Sequence, residues 1–327
     1  MPHLNTRIFG TVVARGRCDQ SQLQSCPTLI MSLTEPHATT GLTRRIRSSR
    51  LRVAGVVIAA GAVLVSTSPS LAAVRSVRPH HPTSLSPKVV YPLGVRDRRE
   101  PSGLAPPGAR AMRGYVLSYH SEFRSRSLPS GWGKFAGVPS GDAGSEWAPS
   151  HVLTGGAMAR LLTYRDPRFH DAWVSGGMCQ CKQGHLYGAF FIRSRVTGPG
   201  PDEAMLLWPT APVWPPEVDL NESAYSTHSS SWTVHYGHGN AFEQGTHNFN
   251  LERWHTWGVI WTPRSLTFTM DGREWGRITN YSEIPHQPMT LDIDQQTRCN
   301  VPASWAACPK HEATLQVNWV AEYRPAG

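Results

Sequence analysis

Charged side chains are scarce in this chain: Asp, Glu, Lys and Arg make up 17% of 327 residues. The long Ala-Glu-Lys-Leu runs of coiled coils and helical bundles are missing too, which argues against both. Acidic residues are few in the first 112 positions, which hold 15 basic and 4 acidic residues. Positions 113–327 hold 17 basic and 19 acidic residues, so the net charge of +9 belongs to the N-terminal third. A nucleic-acid binder needs a basic face on its folded domain, and this balance speaks against that class. Trp is abundant instead, at 12 residues, beside 29 Gly and 27 Pro. The C-terminal two-thirds therefore has enough apolar and aromatic residues for a sizeable core. A single all-β domain of that length is ordinary.

No uncharged stretch makes a convincing membrane span: Val53 to Val65 is short and rich in Ala and Gly. It follows Arg44, Arg45, Arg47, Arg50 and Arg52 and leads to Ser70-Leu71-Ala72-Ala73. A basic stretch, a short apolar run and a small-residue exit predict a secretory signal peptide within residues 1–73. A non-cleaved anchor is the rival reading. Met31 as the true start gives the basic region a more usual length. Thr43-Arg44-Arg45 hints at twin-arginine export. Pro79, Pro82, Pro87, Pro92, Pro101, Pro106 and Pro107 rule out a regular helix or a central strand. Residues 74–112 thus read as an extended, mostly disordered Pro-rich linker. The expected location is extracellular, free or at the cell wall, with no stable membrane insertion once the signal is removed.

Six Cys fit an exported chain, and Cys18 and Cys26 lie upstream of the expected cleavage. Cys179, Cys181, Cys299 and Cys308 remain for two disulfides, with three pairings open. Cys179 and Cys181 are not expected to pair with each other, because they lie too close along an extended chain for comfortable disulfide geometry. Cys299 with Cys308 closes a short loop. A zinc site is not expected: Cys-x-Cys with His185 lacks a second ligand pair.

From Arg113 on, short β-prone runs alternate with Gly, Pro, Asn and Asp. Expected strands cover 115–119, 157–163, 188–196, 204–208, 232–236, 256–262, 266–270, 274–279 and 314–323. Asp271-Gly272 reads as a tight hairpin turn. In the last run Leu315, Val317 and Trp319 share one face, and Thr314, Gln316 and Asn318 the other. Residues 113–327 are expected to form one all-β domain, a sandwich or jelly roll of antiparallel strands.

The chemistry concentrates in Trp214-Pro215-Pro216-Glu217-Val218-Asp219-Leu220-Asn221-Glu222. Glu217 and Asp219 fall on one face of a strand. Glu222 falls on the other, unless a β-bulge at Leu220-Asn221 restores it. All three acids would then line one surface. Two carboxyls about 5–5.5 Å apart suit retaining glycoside hydrolysis. Carboxylates so close cannot all ionise cheaply, so the acid/base should have a raised pKa.

These residues resemble glycoside hydrolase family 16, a retaining family with a concanavalin-like β-jelly-roll sandwich of two antiparallel sheets. The likeness covers roughly residues 115–324. The Glu-x-Asp-x-x-Glu run is similar to the bulged, laminarinase-like branch. Tyr187-Gly188-Ala189-Phe190-Phe191-Ile192-Arg193-Ser194-Arg195 resembles a family strand. So do Leu206-Leu207-Trp208-Pro209, Trp254–Trp261 and Thr269-Met270-Asp271-Gly272, in family order. Ser121-Glu122-Phe123 and Leu128–Trp132 resemble its opening segment. The resemblance implies Glu217 as nucleophile, Asp219 as assisting acid and Glu222 as acid/base. It also implies an endo-acting enzyme on β-1,3- or β-1,3/1,4-glucan. The chain departs from the family at Pro216, where Gly is usual, and at Asn221, where an apolar residue is usual. No cofactor is required. A structural calcium is implied by the family, but Asn318 stands where it often has Asp.

Trp208, Trp214 and Trp232 are candidates for stacking on sugar rings, with the core as the alternative. His235 is a candidate neighbour of the cleavage site. Gln295 and Gln296 are further candidates. Trp257, Trp261 and Trp319 read as core. The expected partner is a polysaccharide substrate, a β-glucan, bound by a monomer. The alternatives are a galactan hydrolase or transglycosylase of the same family and a non-catalytic glycan-binding jelly roll.

Overall fold

The computed structural model describes residues 90–140, 142–300 and 308–327. The expected signal peptide, Met31, Cys18, Cys26 and the first part of the linker lie outside the described residues. Among those described there are strands and three single-turn 3₁₀ segments but no α-helix. None of the described helices is long and apolar enough to cross a membrane.

The strands form two antiparallel sheets. The front sheet has seven, in the order Ala241–Asn248, Ser229–Tyr236, Glu217–Glu222, Asp202–Pro209, Met289–Gln296, Gly177–Cys179 and Gly133–Lys134. The back sheet runs Arg273–Ile278, Ser265–Met270, His255–Thr262, Gly188–Val196, Ala313–Pro325, Ala159–Asp166 and Val152–Thr154. Tyr115–Ser121 also pairs with the Ala313–Pro325 strand. The all-β sandwich is therefore present, and Gly188–Val196 spans the expected residues end to end.

Alternation builds the core. Val218 and Leu220 of the front sheet point inward with Val234 and Leu207, towards Phe190, Ile192, Trp257 and Val259 of the back sheet. Each such side chain, fully buried, contributes about 1.5–3 kcal/mol. Trp257 and Trp261 lie in this core as expected. The Asp271-Gly272 turn is also as expected: Met270 pairs with Arg273. Both turn residues have positive φ, 47° and 76°, the conformation a two-residue hairpin with the sheet's own twist demands.

The last strand departs from the simple alternation. Its register shifts between Val317 and Trp319. Leu315 and Val317 stay in the main core, while Trp319, Ala321 and Tyr323 pack on the other side of the back sheet. One extra residue, Asn318, reverses the phase, as a bulge does.

That other side carries a second core, covered by the segment from Tyr91 to Leu117. Residues 90–112 were expected to be linker, yet they hold a short hairpin, Val95–Arg96 with Leu104–Ala105, laid along the sheet. The Trp319 indole donates to Leu104 O at 2.8 Å, and the Tyr323 hydroxyl is 2.9 Å from both Pro107 O and Gly108 O. The prolines are accommodated because this strap is held through carbonyl oxygens, which Pro retains.

Cys299 and Cys308 form a disulfide with Cα atoms 5.4 Å apart. Cys179 pairs with Cys181, against expectation, with Cα atoms 5.0 Å apart. The strand ends at Cys179, and the chain beyond it is no longer extended, which brings the two Cα atoms within disulfide reach. The Cα spacing is ordinary for a disulfide.

Candidate active site

The Glu217–Glu222 strand is third of the seven in the front sheet, between two partners that fix its register. Against the Ser229–Tyr236 strand, Glu217 faces His235, Asp219 faces Thr233 and Glu222 faces Ser231. Two residues, Leu220 and Asn221, thus oppose the single residue Trp232. The bulge sits where the acid spacing requires it. On the other side Asp219 faces Leu206 and Glu222 faces Ala204, again skipping one residue. Glu217, Asp219 and Glu222 consequently share the outer face, opposite the core-facing Val218 and Leu220.

The three acids differ in environment. Asp219 is the deepest, 2% exposed, while Glu217 and Glu222 are half-buried. Burial first, then the charges of Glu217 and Glu222, push the Asp219 pKa far above the usual carboxylate range. Burial also raises Glu217, but the Trp214 indole N–H and His235 oppose it. Trp214 Nε1 donates to Glu217 Oε2 at 2.6 Å. The stronger upward push on Asp219 favours it over Glu217 as the holder of a proton shared between the two. Glu222 is raised by burial and drawn back by Arg298 and His235.

Of the four aromatic candidates, three gather on this face. Trp208 and Trp214 stack at 6.4 Å between ring centroids with planes 15° apart. Trp214 is 43% exposed, an open flat surface beside Glu217. His235 lies 5.7 Å from Trp214, and its Nε2 is 3.9 Å from Asp219 Oδ2. Its Nδ1 meets Asn240 Oδ1 at 2.8 Å, which orients the ring. Trp232 is the exception. It points into the core, stacks on Phe268 at 4.9 Å and donates to Trp275 O. Gln295 likewise faces inward, where its Oε1 accepts from Thr163 Oγ1 and from Leu315 N–H. Gln296, one residue on, lies on the outer face and donates to Asp294 Oδ1.

Several acids beyond the trio extend this floor. Asp292 and Asp294 stand on the Met289–Gln296 strand, opposite Leu206 and Ala204. Burial raises both. Asp294 is pushed up to about 7, with Glu217 and Glu222 adding to the effect. Asp292 goes well above its ordinary range, with Asp294 and Glu217 contributing. The signal was the alternation Leu291-Asp292-Ile293-Asp294, an acid on every outward position of an apolar strand. Arg298, which bears on Glu222 and Asp294, lies beyond the strand and had no such signal.

The family's structural calcium finds no fit. Asn318 Nδ2 donates to Glu100 Oε2 at 3.0 Å and to Ala157 O at 2.8 Å. Its Oδ1 accepts from Ser102 Oγ at 2.5 Å. Arg124 pairs with Glu100. The oxygens that could hold a cation are thus already turned towards amide N–H donors, a hydroxyl and a guanidinium. Among the described residues no group of three His, Cys, Asp or Glu is placed to hold a metal.

Residues 141–320 match the family model described as glycosyl hydrolases family 16. The chain belongs to that family. Solved family 16-like structures share its fold. The laminarinase from Rhodothermus marinus is 21% identical with a TM-score of 0.58, covering 65% of this chain and 98% of its own. The laminarinase catalytic domain from Thermotoga maritima MSB8 is 14% identical at 0.56, covering 66% and 100%. A lichenase, a β-1,3-1,4-glucanase from a mouse hindgut metagenome, is 19% identical at 0.54, covering 64% and 99%. No curated protein matches the family 16 chain by sequence.

Proposed function

We propose that this family 16 chain is a secreted, endo-acting, retaining β-glycan hydrolase whose substrate is a β-1,3- or mixed β-1,3/1,4-glucan. The observation that carries the reading is the bulge at Leu220-Asn221, which turns Glu222 onto the face of Glu217 and Asp219. The resemblance to laminarinases and a lichenase supports the choice of substrate.

In the first step the Glu217 carboxylate attacks the anomeric carbon and the bond to the leaving oxygen breaks. Glu222 gives that oxygen its proton. In the second step Glu222 takes a proton from water, the water oxygen bonds to the anomeric carbon, and Glu217 leaves as a carboxylate. Asp219 holds its own proton throughout and donates towards Glu217, which favours the departing carboxylate. Trp214 offers its indole face to a sugar ring and its N–H to the nucleophile.

The test is to incubate the full chain with a polysaccharide panel and count new reducing ends, with Glu217→Gln and Glu222→Gln alongside. Release from a β-glucan is expected, with the β-anomer appearing first by NMR. Each variant should lose about 10²–10⁴-fold or more. A folded chain that releases nothing from any glucan, or whose variants remain active, overturns the reading.

A further inference from the structure

The catalytic strand carries an amide on its hidden side. Asn221 is wholly buried, on the inward side of the strand with Val218 and Leu220. It is also the position where the family resemblance implies an apolar residue. A buried amide is costly unless its groups are paired, and this one is paired in both directions. Its Nδ2 donates to Glu203 Oε1 at 3.1 Å, on the Asp202–Pro209 strand. Its Oδ1 accepts from Ser230 Oγ at 2.5 Å, on the Ser229–Tyr236 strand. The three residues therefore bridge three adjacent strands at the bulge.

The same residues bracket Glu222. Ser230 Oγ also reaches Glu222 O at 3.3 Å. On the far side of Glu222, Ser223 Oγ accepts from Glu203 N–H at 3.0 Å and Ser223 N–H donates to Glu203 O at 3.1 Å. Both sequence neighbours of Glu222 are thus tied to Glu203, and its own carbonyl to Ser230. Burial pushes Glu203 up to about 7, so it accepts from Asn221 as a neutral acid in the acidic range.

A bulge interrupts the sheet ladder, so the side chain that follows it has fewer backbone constraints on its direction. Here that side chain is the acid/base. We propose that Glu203, Asn221 and Ser230 are positioning residues that lock the bulge from the core side and thereby set the direction of the Glu222 carboxyl. The inference rests on the reading of Glu222 as acid/base. None of the three needs to touch a sugar.

The test uses the full chain with Ser230→Ala, Ser230→Thr and Asn221→Leu. Three quantities are read: kcat and KM on a β-1,3-glucan, the Glu222 titration by carboxyl ¹³C NMR, and the melting temperature. Ser230→Ala and Asn221→Leu are expected to lower kcat about tenfold or more, as misplacement of a reacting group does, with KM nearly unchanged. Both should shift the Glu222 titration, and Ser230→Thr, which keeps the hydroxyl, should restore it. Asn221→Leu keeps the side-chain size and tests the point even where Ser230→Ala fails to fold. A Glu222 titration that ignores the variants overturns the proposal, whatever the activity. If the unaltered chain cleaves no glycan, the function falls, yet the titration still decides the network.

Discussion

The indole of Trp214 donates its N–H to Glu217 Oε2 at 2.6 Å while its ring lies parallel to Trp208. One side chain therefore serves Glu217, the proposed nucleophile, with its edge and extends the aromatic surface with its face. Trp214→Phe keeps much of that face and removes the donor. The N–H lowers the Glu217 pKa, so its loss should raise it. A hydrogen bond to a charged group is worth about 1.5–3 kcal/mol, which corresponds to about one to two pH units. The acidic limb of kcat/KM is expected to move up by that order. A limb that stays in place refutes the role given to the N–H.

Trp208 and Trp232 are expected to part company under mutation. Trp232→Ala removes a core ring stacked on Phe268 and should cost about 3–5 kcal/mol of stability, read by urea denaturation. Trp208→Ala should leave stability nearly intact and raise KM. A stable Trp232→Ala variant with a raised KM would return that residue to the substrate.

The strap over the back sheet makes a prediction about boundaries and metal together. A chain that starts at residue 113 loses the cover over Trp319 and Tyr323. It should melt well below a chain starting at residue 90 and bind a hydrophobic dye. Within the longer chain, chelator should leave the melting temperature unchanged. Asn318→Asp, which sets a second carboxylate beside Glu100, should lower it, and calcium should then raise it. A calcium response in the unaltered chain would reverse the argument drawn from the amide.

Glu322 predicts how stability varies with pH. It is 1% exposed, with His185 Nε2 at 3.4 Å. Burial pushes it up to about 8, while the nearby Gln180 amide pulls the other way. The native chain thus holds a proton that the unfolded chain releases near pH 4.5. By linkage, the stability it confers is full below that value and is lost as pH rises towards 8. Glu322→Gln should flatten this decline in a denaturation series across pH 4–8. A slope equal to that of the unaltered chain sinks the assignment.

The shared face of the three acids was legible in the sequence because its logic is parity. Three acids at offsets of two and five can share a face only across a bulge, and the bulge is there. The same arithmetic also bears on Trp232. It stands three residues from His235, an odd offset, so in a regular strand the two cannot share a face. Gln295 and Gln296 are adjacent and split between faces for the same reason. Ala241–Asn248 escaped notice because it is an exposed edge strand, and no burial imposes an alternating pattern on it. Residues 90–112 read as linker because Pro92, Pro101, Pro106 and Pro107 interrupt any regular pattern. Several of their anchors are backbone carbonyls, which leave no trace in side-chain composition. Asn318 hid its bulge, since one inserted residue looks like continued alternation until Trp319 is found on the other side.

The strap also gives the molecule a front and a back. The acids open on the outer face of one sheet, and the polypeptide arrives along the outer face of the other. The strap and the acids are thereby separated by the full thickness of the sandwich. Changes in residues 90–112 can therefore reach the acids only through the packed core between the two sheets.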